Sequence, residues 1–180
     1  MARHRDNLIR YRSAHIQHMQ KALELMNVKL TQVVSDITGV TGMSIIRAIV
    51  SGERNPHMLA RFRQSGCRKS EEQIAKALLG NYKPEHVFVL RQALAQYDFY
   101  QQQIQECDAQ MEAMYAALPP SDPEEQVSPP PKPKRRKPRK NQAHFDLATS
   151  LYEAVGVDLT AVDGLDALSV QSIITEIGTD

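Results

Sequence analysis

Apolar residues recur at alternating steps of three and four along the first part of the chain: Ile9, Ile16, Met19, Leu23, Met26, Leu30 and Val33, with Arg12 as the one polar member of the series. That spacing is a heptad seam. No Gly or Pro interrupts residues 1–38, so the pattern predicts a helix of about 30 residues, roughly 45 Å long. A second seam runs through Val87, Leu90, Leu94, Tyr97, Gln101, Ile104, Asp108, Met111, Tyr115 and Leu118. Pro84 suits the first turn of this helix, and Pro119–Pro120 stops it. Gln101 and Asp108 interrupt the seam, and polar seam positions set register or oligomer state. Two long helices of matched length predict either an antiparallel pair or one arm of a dimeric coiled coil.

Residues 34–83 read as shorter helices. "GMSIIRAIVSGE" is bounded by Gly42 and Gly52. "NPHMLARFRQSG" has Asn55 as N-cap, Pro56 at the first helical position and Gly66 as its end. "SEEQIAKALLGN" places Ser70 and Gln73 at capping-box spacing, with Gly80 following the helix. No segment alternates with period two, so the expected fold class is all-α.

Residues 119–141 hold eight of the ten prolines. Such a segment builds no core and predicts a disordered, basic, extended linker. Helical patterning resumes over residues 142–180, a stretch short enough that it is expected to be loosely packed or covered by a partner. The expected organisation is therefore a coiled-coil helical region over 1–118 with an insert at 34–83, a linker over 119–141, and the start of a further helical domain over 142–180.

Composition adds exclusions. Apolar content is 42%, aromatics are 6% and Trp is absent, which favours helices packed through aliphatic residues over an aromatic-rich sandwich. Cys67 and Cys107 are isolated and predict neither a disulfide framework nor a zinc site. The charged opening "MARHRDNLIRYRSAH" is not a signal peptide, and no apolar run approaches the ~20 residues that span a bilayer. A soluble, cytoplasmic protein without a membrane partner is expected. The net charge of +1 conceals a separation along the chain: residues 1–118 carry 15 Lys/Arg against 11 Asp/Glu, residues 119–141 carry 7 against 3, and residues 142–180 carry none against 7.

One small pattern occurs twice. With Gly39 set against Gly164, Val34 matches Leu159, Ile37 matches Val162, Val40 matches Leu165, Ser44 matches Ser169 and Ile45 matches Val170. Apolar, two residues, apolar, one residue, Gly, apolar, then a helix: this resembles the helix-hairpin-helix, a module that holds nucleic-acid backbones through exposed N–H groups at the start of its second helix. The candidate contacts are Gly39, Val40, Thr41 and Gly42 in the first copy and Gly164 and Leu165 in the second. Where the pattern wants a second glycine, the first copy has Thr41 followed by Gly42, and the second has Asp166, a carboxylate where a phosphate would approach. The first copy is therefore the preferred phosphate site. The plain alternative is a corner used only for packing.

The run "KPKRRKPRK" supplies the other candidate contact, through Lys132, Lys134, Arg135, Arg136, Lys137, Arg139 and Lys140. Seven cations in nine residues attract phosphates without sequence preference and with steep salt dependence. The run also has the composition of a nuclear localisation signal, or of a spacer extended by its own charge. His15 and His18 stand at i and i+3 without an evident third metal ligand, so a solvated face is the simpler reading. Asp36, Glu53, Asp163, Asp166 and Glu176 match no metal-nuclease spacing, and helix caps and turns account for them. No metal, cofactor or catalytic residue is expected in this chain.

Longer phrases carry a family resemblance. "YRSAHIQHMQKALELMNVKLTQVVSDITGVTGMSIIRAIVSGERNPHMLARFR" is similar to the middle of the DEDD-type transposases of bacterial insertion sequences, the IS-one-ten-type family. "SEEQIAKALLGNYKPEHVFVLRQALAQYDFYQQQIQECDAQ" resembles the stretch that follows it, and "GVDLTAVDGLDALSVQSIITEIGTD" resembles the opening of that family's C-terminal transposase domain. The resemblance implies DNA as a partner, a structured guide RNA as a further one, and DNA transposition as the parent activity. It also implies a RuvC-like nuclease domain with four acidic metal ligands before the coiled coil, which would take a divalent metal, and a catalytic serine beyond residue 180. The chain is thus expected to be a transposase fragment that dimerises with itself or with a full-length transposase, binds nucleic-acid backbones and does not cut. A stand-alone helical adaptor or regulator is the other reading.

Overall fold

A computed structural model describes residues 1–118 and 141–177. Among these residues all regular structure is helical: α1 (Ala2–Leu25), α2 (Val40–Val50), α3 (Pro56–Ala60), α4 (Glu71–Ala77), α5 (Pro84–Ala116), α6 (Leu147–Val155) and α7 (Ala167–Ile177), with 3-10 turns at Leu30–Gln32 and Leu159–Ala161. The fold class is all-α. The cation-rich run from Lys132 to Lys140 lies outside the described residues. No helix among the described residues is long and apolar enough to cross a membrane.

The first helix is shorter than its seam predicts. It stops at Leu25, and Asn27 adopts a left-handed conformation with φ 56°. The Val28 N–H reaches back to Leu23 O at 2.9 Å and the Asn27 N–H to Glu24 O at 2.8 Å. This is a Schellman stop with Asn in the place usually held by Gly. Leu30 is still buried, but it reaches the core from a 3-10 turn and not from α1. The helix expected to run to Gly66 ends at Ala60, while its start is as expected: the Asn55 side chain accepts from His57 N at 3.0 Å and Met58 N at 3.4 Å. The capping box of α4 is present in both directions, at 3.2 Å from Gln73 N to Ser70 Oγ and at 3.1 Å from Ser70 N to Gln73 Oε1.

The chain divides into two compact units, one of Met1–Arg10 with Gln101–Asp180 and the other of Tyr11–Tyr100. α1 and α5 each contribute to both. In the Tyr11–Tyr100 unit the two seams meet in one core, where Met19, Leu23 and Met26 of α1 and Leu90 and Leu94 of α5 enclose Ile45, Ile46 and Ile49 of α2. Arg12, the polar seam position, is buried with its guanidinium 6.0 Å from the Tyr97 ring centre.

In the other unit the polar seam position Asp108 finds a cation. Arg5 and Asp108 are each 99% buried and pair through Arg5 Nε and Asp108 Oδ1, with a further bond from Nη2 to Oδ2 at 3.3 Å. Arg5 Nη2 also donates to the carbonyls of Asn141 at 3.1 Å and Gln142 at 2.9 Å. Asp108 Oδ2 in turn accepts from the backbone N–H of His144 at 3.2 Å and lies 2.6 Å from its Nδ1. The residues after 140 are therefore tied to both long helices. Leu147, Leu151 and Val170 form a second core with Tyr115 and Phe145, and the Gln171 amide donates to Tyr115 Oη at 3.2 Å. The described part of 142–180 is packed, because the end of α5 supplies the apolar surface that a short segment lacks.

Removing one partner of a buried pair leaves the other charged and unpaired. Asp108→Asn is expected to lower unfolding free energy by about 3–5 kcal/mol, read from urea denaturation. A loss under about 1 kcal/mol would mean the pair is not the anchor of this unit.

Candidate nucleic-acid interface

The first hairpin copy is built from a tight turn followed directly by α2. Gly39 N–H donates to Asp36 O at 3.1 Å and closes the turn, and Asp36 Oδ1 accepts from Thr38 N at 2.8 Å and from its hydroxyl at 2.7 Å. Gly39 is the N-cap of α2, in extended conformation at φ −71°, and no side chain caps the helix. Val40, the first helical residue, is 70% exposed. The next two positions point inward. Thr41 is buried and its hydroxyl accepts from Gln64 N at 3.1 Å. Gly42 is buried against the backbone of Ile37, where a Cβ would lie 2.3 Å from the carbonyl oxygen. Gly39 and Val40 thus reach the surface, whereas Thr41 and Gly42 hold the corner together.

The second copy has the same apolar pattern in a different shape. Its turn is closed by Leu165 N donating to Val162 O at 3.1 Å, which is one position later than in the aligned first copy. Gly164 occupies that turn at φ +88°, a left-handed conformation Gly39 does not share. α7 begins at Ala167, three residues after the glycine instead of one. Its first turn is capped: Asp166 Oδ1 accepts from Ser169 N at 2.9 Å and from the Ser169 hydroxyl at 2.8 Å. The carboxylate thus occupies the N–H group that a phosphate would need.

The loop after α3 adds cations that the sequence reading did not single out. Between Arg54 and Lys69 stand five Lys/Arg and no Asp/Glu, and that run was the available signal. Two of them are spent on structure. Arg54 donates to Ile49 O at 2.5 Å and Glu53 O at 2.7 Å and covers the Tyr82 ring at 5.1 Å. Arg63 donates to Lys69 O at 2.6 Å and Cys67 O at 2.8 Å, which folds the loop on itself. Arg61, Arg68 and Lys69 remain exposed. The Thr41–Gln64 bond ties the loop that carries them to the first turn of α2.

An open groove of about 710 Å3 runs beside α2, between Ser44, Ala48 and Ser51 on one side and Met58 and Phe62 on the other. Arg47 lies at this groove, but its guanidinium is committed to Asp98 through bonds of 2.8 and 2.6 Å, and that bond raises its pKa. Cys67 and Cys107 are free thiols, and burial pushes the Cys107 thiol up, aided by the charge of Asp108. His15 and His18 meet edge to face at 5.4 Å, and His15 stacks on Tyr100. Among the described residues no group of three His, Cys, Asp or Glu is placed to hold a metal ion.

Two outcomes follow. Gly42→Ala is expected to cost about 2–4 kcal/mol in denaturant unfolding, since the new methyl meets backbone and not a movable side chain. Burial first, and the charge of His18 second, hold the His15 pKa below its ordinary value. Proton uptake at His15 therefore opposes folding: its contribution is present above the unfolded imidazole pKa and is lost as pH falls through the folded one. In an NMR titration His18→Gln should move the His15 midpoint upward by only part of the difference, because the burial remains; an unchanged midpoint would remove His18 as a cause.

The chain matches no family model, no curated protein and no solved structure.

Proposed function

We propose that this chain is part of a DEDD-type insertion-sequence transposase, contributing nucleic-acid backbone binding and self-association and not cleavage. In that reading α1 and α5 form the long antiparallel helical hairpin of the coiled-coil region, and residues 34–83 are its insert with a helix-hairpin-helix-like corner. Pairing between the helices runs in opposite directions along them: Tyr11 meets Tyr100 in one unit, and Arg5 meets Asp108 in the other. DNA, and a structured RNA, are the proposed partners.

One observation carries the nucleic-acid part. The start of α2 has no side-chain cap and is bound through Thr41 to a loop bearing exposed Arg61, Arg68 and Lys69, whereas the start of α7 is closed by its own carboxylate. Uncapped N–H groups tied to a loop of exposed cations suit a phosphate, and a capped helix in an acidic segment does not. The run of cations from Lys132 to Lys140 would add a sequence-independent attraction.

A second reading, a stand-alone helical adaptor or regulator of a full-length transposase, draws support from the packing of residues 141–177 within one unit. It shares the same contacts and differs in what the chain is joined to.

The test uses the full chain and random-sequence duplex DNA and RNA over a range of salt. Gly39→Asp places at α2 the carboxylate that α7 already has; its Cβ would lie 3.2 Å from Asp36 O, so helical circular dichroism is compared with the wild type first, and the folded variant should bind about fivefold more weakly at low salt. Changing the seven cations between Lys132 and Lys140 to Ser should weaken binding by about tenfold or more and flatten the salt slope. Unchanged affinity in both variants would end the nucleic-acid reading.

A further inference from the structure

The groove beside α2 plays no part in the phosphate contact, yet it begins where that contact ends. Val40, Ser44, Arg47 and Ser51 follow one another at steps of four, three and four. The α2 wall of the groove therefore continues the face on which Val40 is exposed. The opposite wall is apolar and open to solvent: Met58 is 42% exposed and Phe62 41%. The bond from Gln64 N to the Thr41 hydroxyl ties the segment that carries Phe62 to the first turn of α2. Phe62 thus stands two residues from the bond that anchors its loop at the open end of the helix.

Size and chemistry narrow the occupant. A groove of about 710 Å3 is of small-ligand size. From Ser44 to Ser51 it follows α2 for only about 10 Å, too short to seat a partner helix of ordinary length. Its ionic side chains are already engaged: Arg47 with Asp98, and Glu53 Oε1 with the backbone N–H groups of Arg54 at 2.8 Å and Asn55 at 2.7 Å. A cationic segment would find one carboxylate there, and that one already accepts two bonds. What stays unspent is the Phe62 ring, the Met58 thioether and two hydroxyls, since among the described residues nothing bonds to the side chain of Ser44 or Ser51. Exposed Arg61 adjoins Phe62. A flat aromatic group with hydrogen-bonding edges and an anionic tail uses all of these, and a nucleotide has that form.

We propose that this groove seats an unpaired nucleobase of a strand whose phosphate lies at the start of α2. The base stacks on Phe62, and its edge or its sugar meets the Ser44 and Ser51 hydroxyls, which both donate and accept. A base inside a duplex has its faces covered by neighbours and its edge taken by its partner, so entry requires it to leave the stack. The corner therefore prefers single-stranded nucleic acid to duplex. The inference rests on the phosphate reading of α2 and adds the strand form that the site takes.

The test compares binding of the full chain to a random-sequence single strand carrying a fluorescent adenine analogue and to a duplex of the same length, at one low salt concentration. The wild type should prefer the single strand by about tenfold and quench the analogue through stacking. Phe62→Ala, and separately Ser44→Leu, which fills the groove from its other wall, should abolish both the preference and the quenching while duplex affinity stays within about twofold. Phe62→Tyr keeps a stacking ring and should keep both. Helical circular dichroism is compared first, so that only folded variants are scored. Equal binding of the two strand forms by the wild type overturns the groove and leaves the phosphate reading standing, and so does a preference that survives both Phe62→Ala and Ser44→Leu. A groove already covered by residues 119–140 would give the same equal binding and counts against the proposal in the same way. No binding of either form by the wild type ends the phosphate reading, and this inference with it.

Discussion

The unit of Met1–Arg10 with Gln101–Asp180 depends on a buried charge pair. Taking Arg5 and Asp108 out of water costs several kcal/mol per ion, and their attraction offsets this only when the remaining donors and acceptors are filled. They nearly are. Asp108 takes both Arg5 bonds, the His144 backbone N–H and the His144 ring, while Arg5 spends Nη2 on two carbonyls and leaves Nη1 buried without a partner. Two aliphatic side chains would fill the same space more cheaply. What the charges add is direction: each bond to Asn141, Gln142 or His144 fixes where the chain rejoins the helices, and apolar contact alone would let that junction slide.

The two hairpin copies show how far a shared pattern of letters constrains a backbone. Both close a turn and both lead into a helix of 11 residues. In the first copy the glycine serves as the helix's own N-cap. In the second it serves as the left-handed corner of a turn, and Asp166 takes over as cap. The apolar positions fix which residues face the core, but the turn type is decided by the next polar residue. An aspartate that can accept from the third N–H of a helix starts the helix at itself.

Much of the helical frame was legible for that reason. Asn55 with Pro56, Ser70 with Gln73 and Pro84 are local signals, each resting on a hydrogen bond or a fixed φ within a few residues. The end of α1 was not legible, because Asn27 takes a left-handed conformation there without the glycine that usually marks it. Arg5 was missed as the partner of Asp108, although it stands seven residues before Arg12 and so on the same seam position. Thr41 and Gly42 matched a surface motif in the sequence and proved to be interior. Only the third dimension shows Ile37 and Gln64 closing over them.

The charge separation along the chain has a structural cause at its acidic end. Asp146 accepts from Thr149, Asp158 from Thr160 and Asp166 from Ser169, each through both backbone N–H and hydroxyl. Three of the seven acids of this segment are thus caps, one at the start of each helical turn, and they consume the donors that would otherwise hold an anion. At the start of α2 the opposite choice leaves the donors open, and the nearby loop keeps three cations exposed. If backbone phosphates are the ligand, as proposed, the same physics that makes the C-terminal helices self-sufficient also turns nucleic acid away from them, and the contact falls to the start of α2, which has no side-chain cap and a cation-bearing loop tied to it.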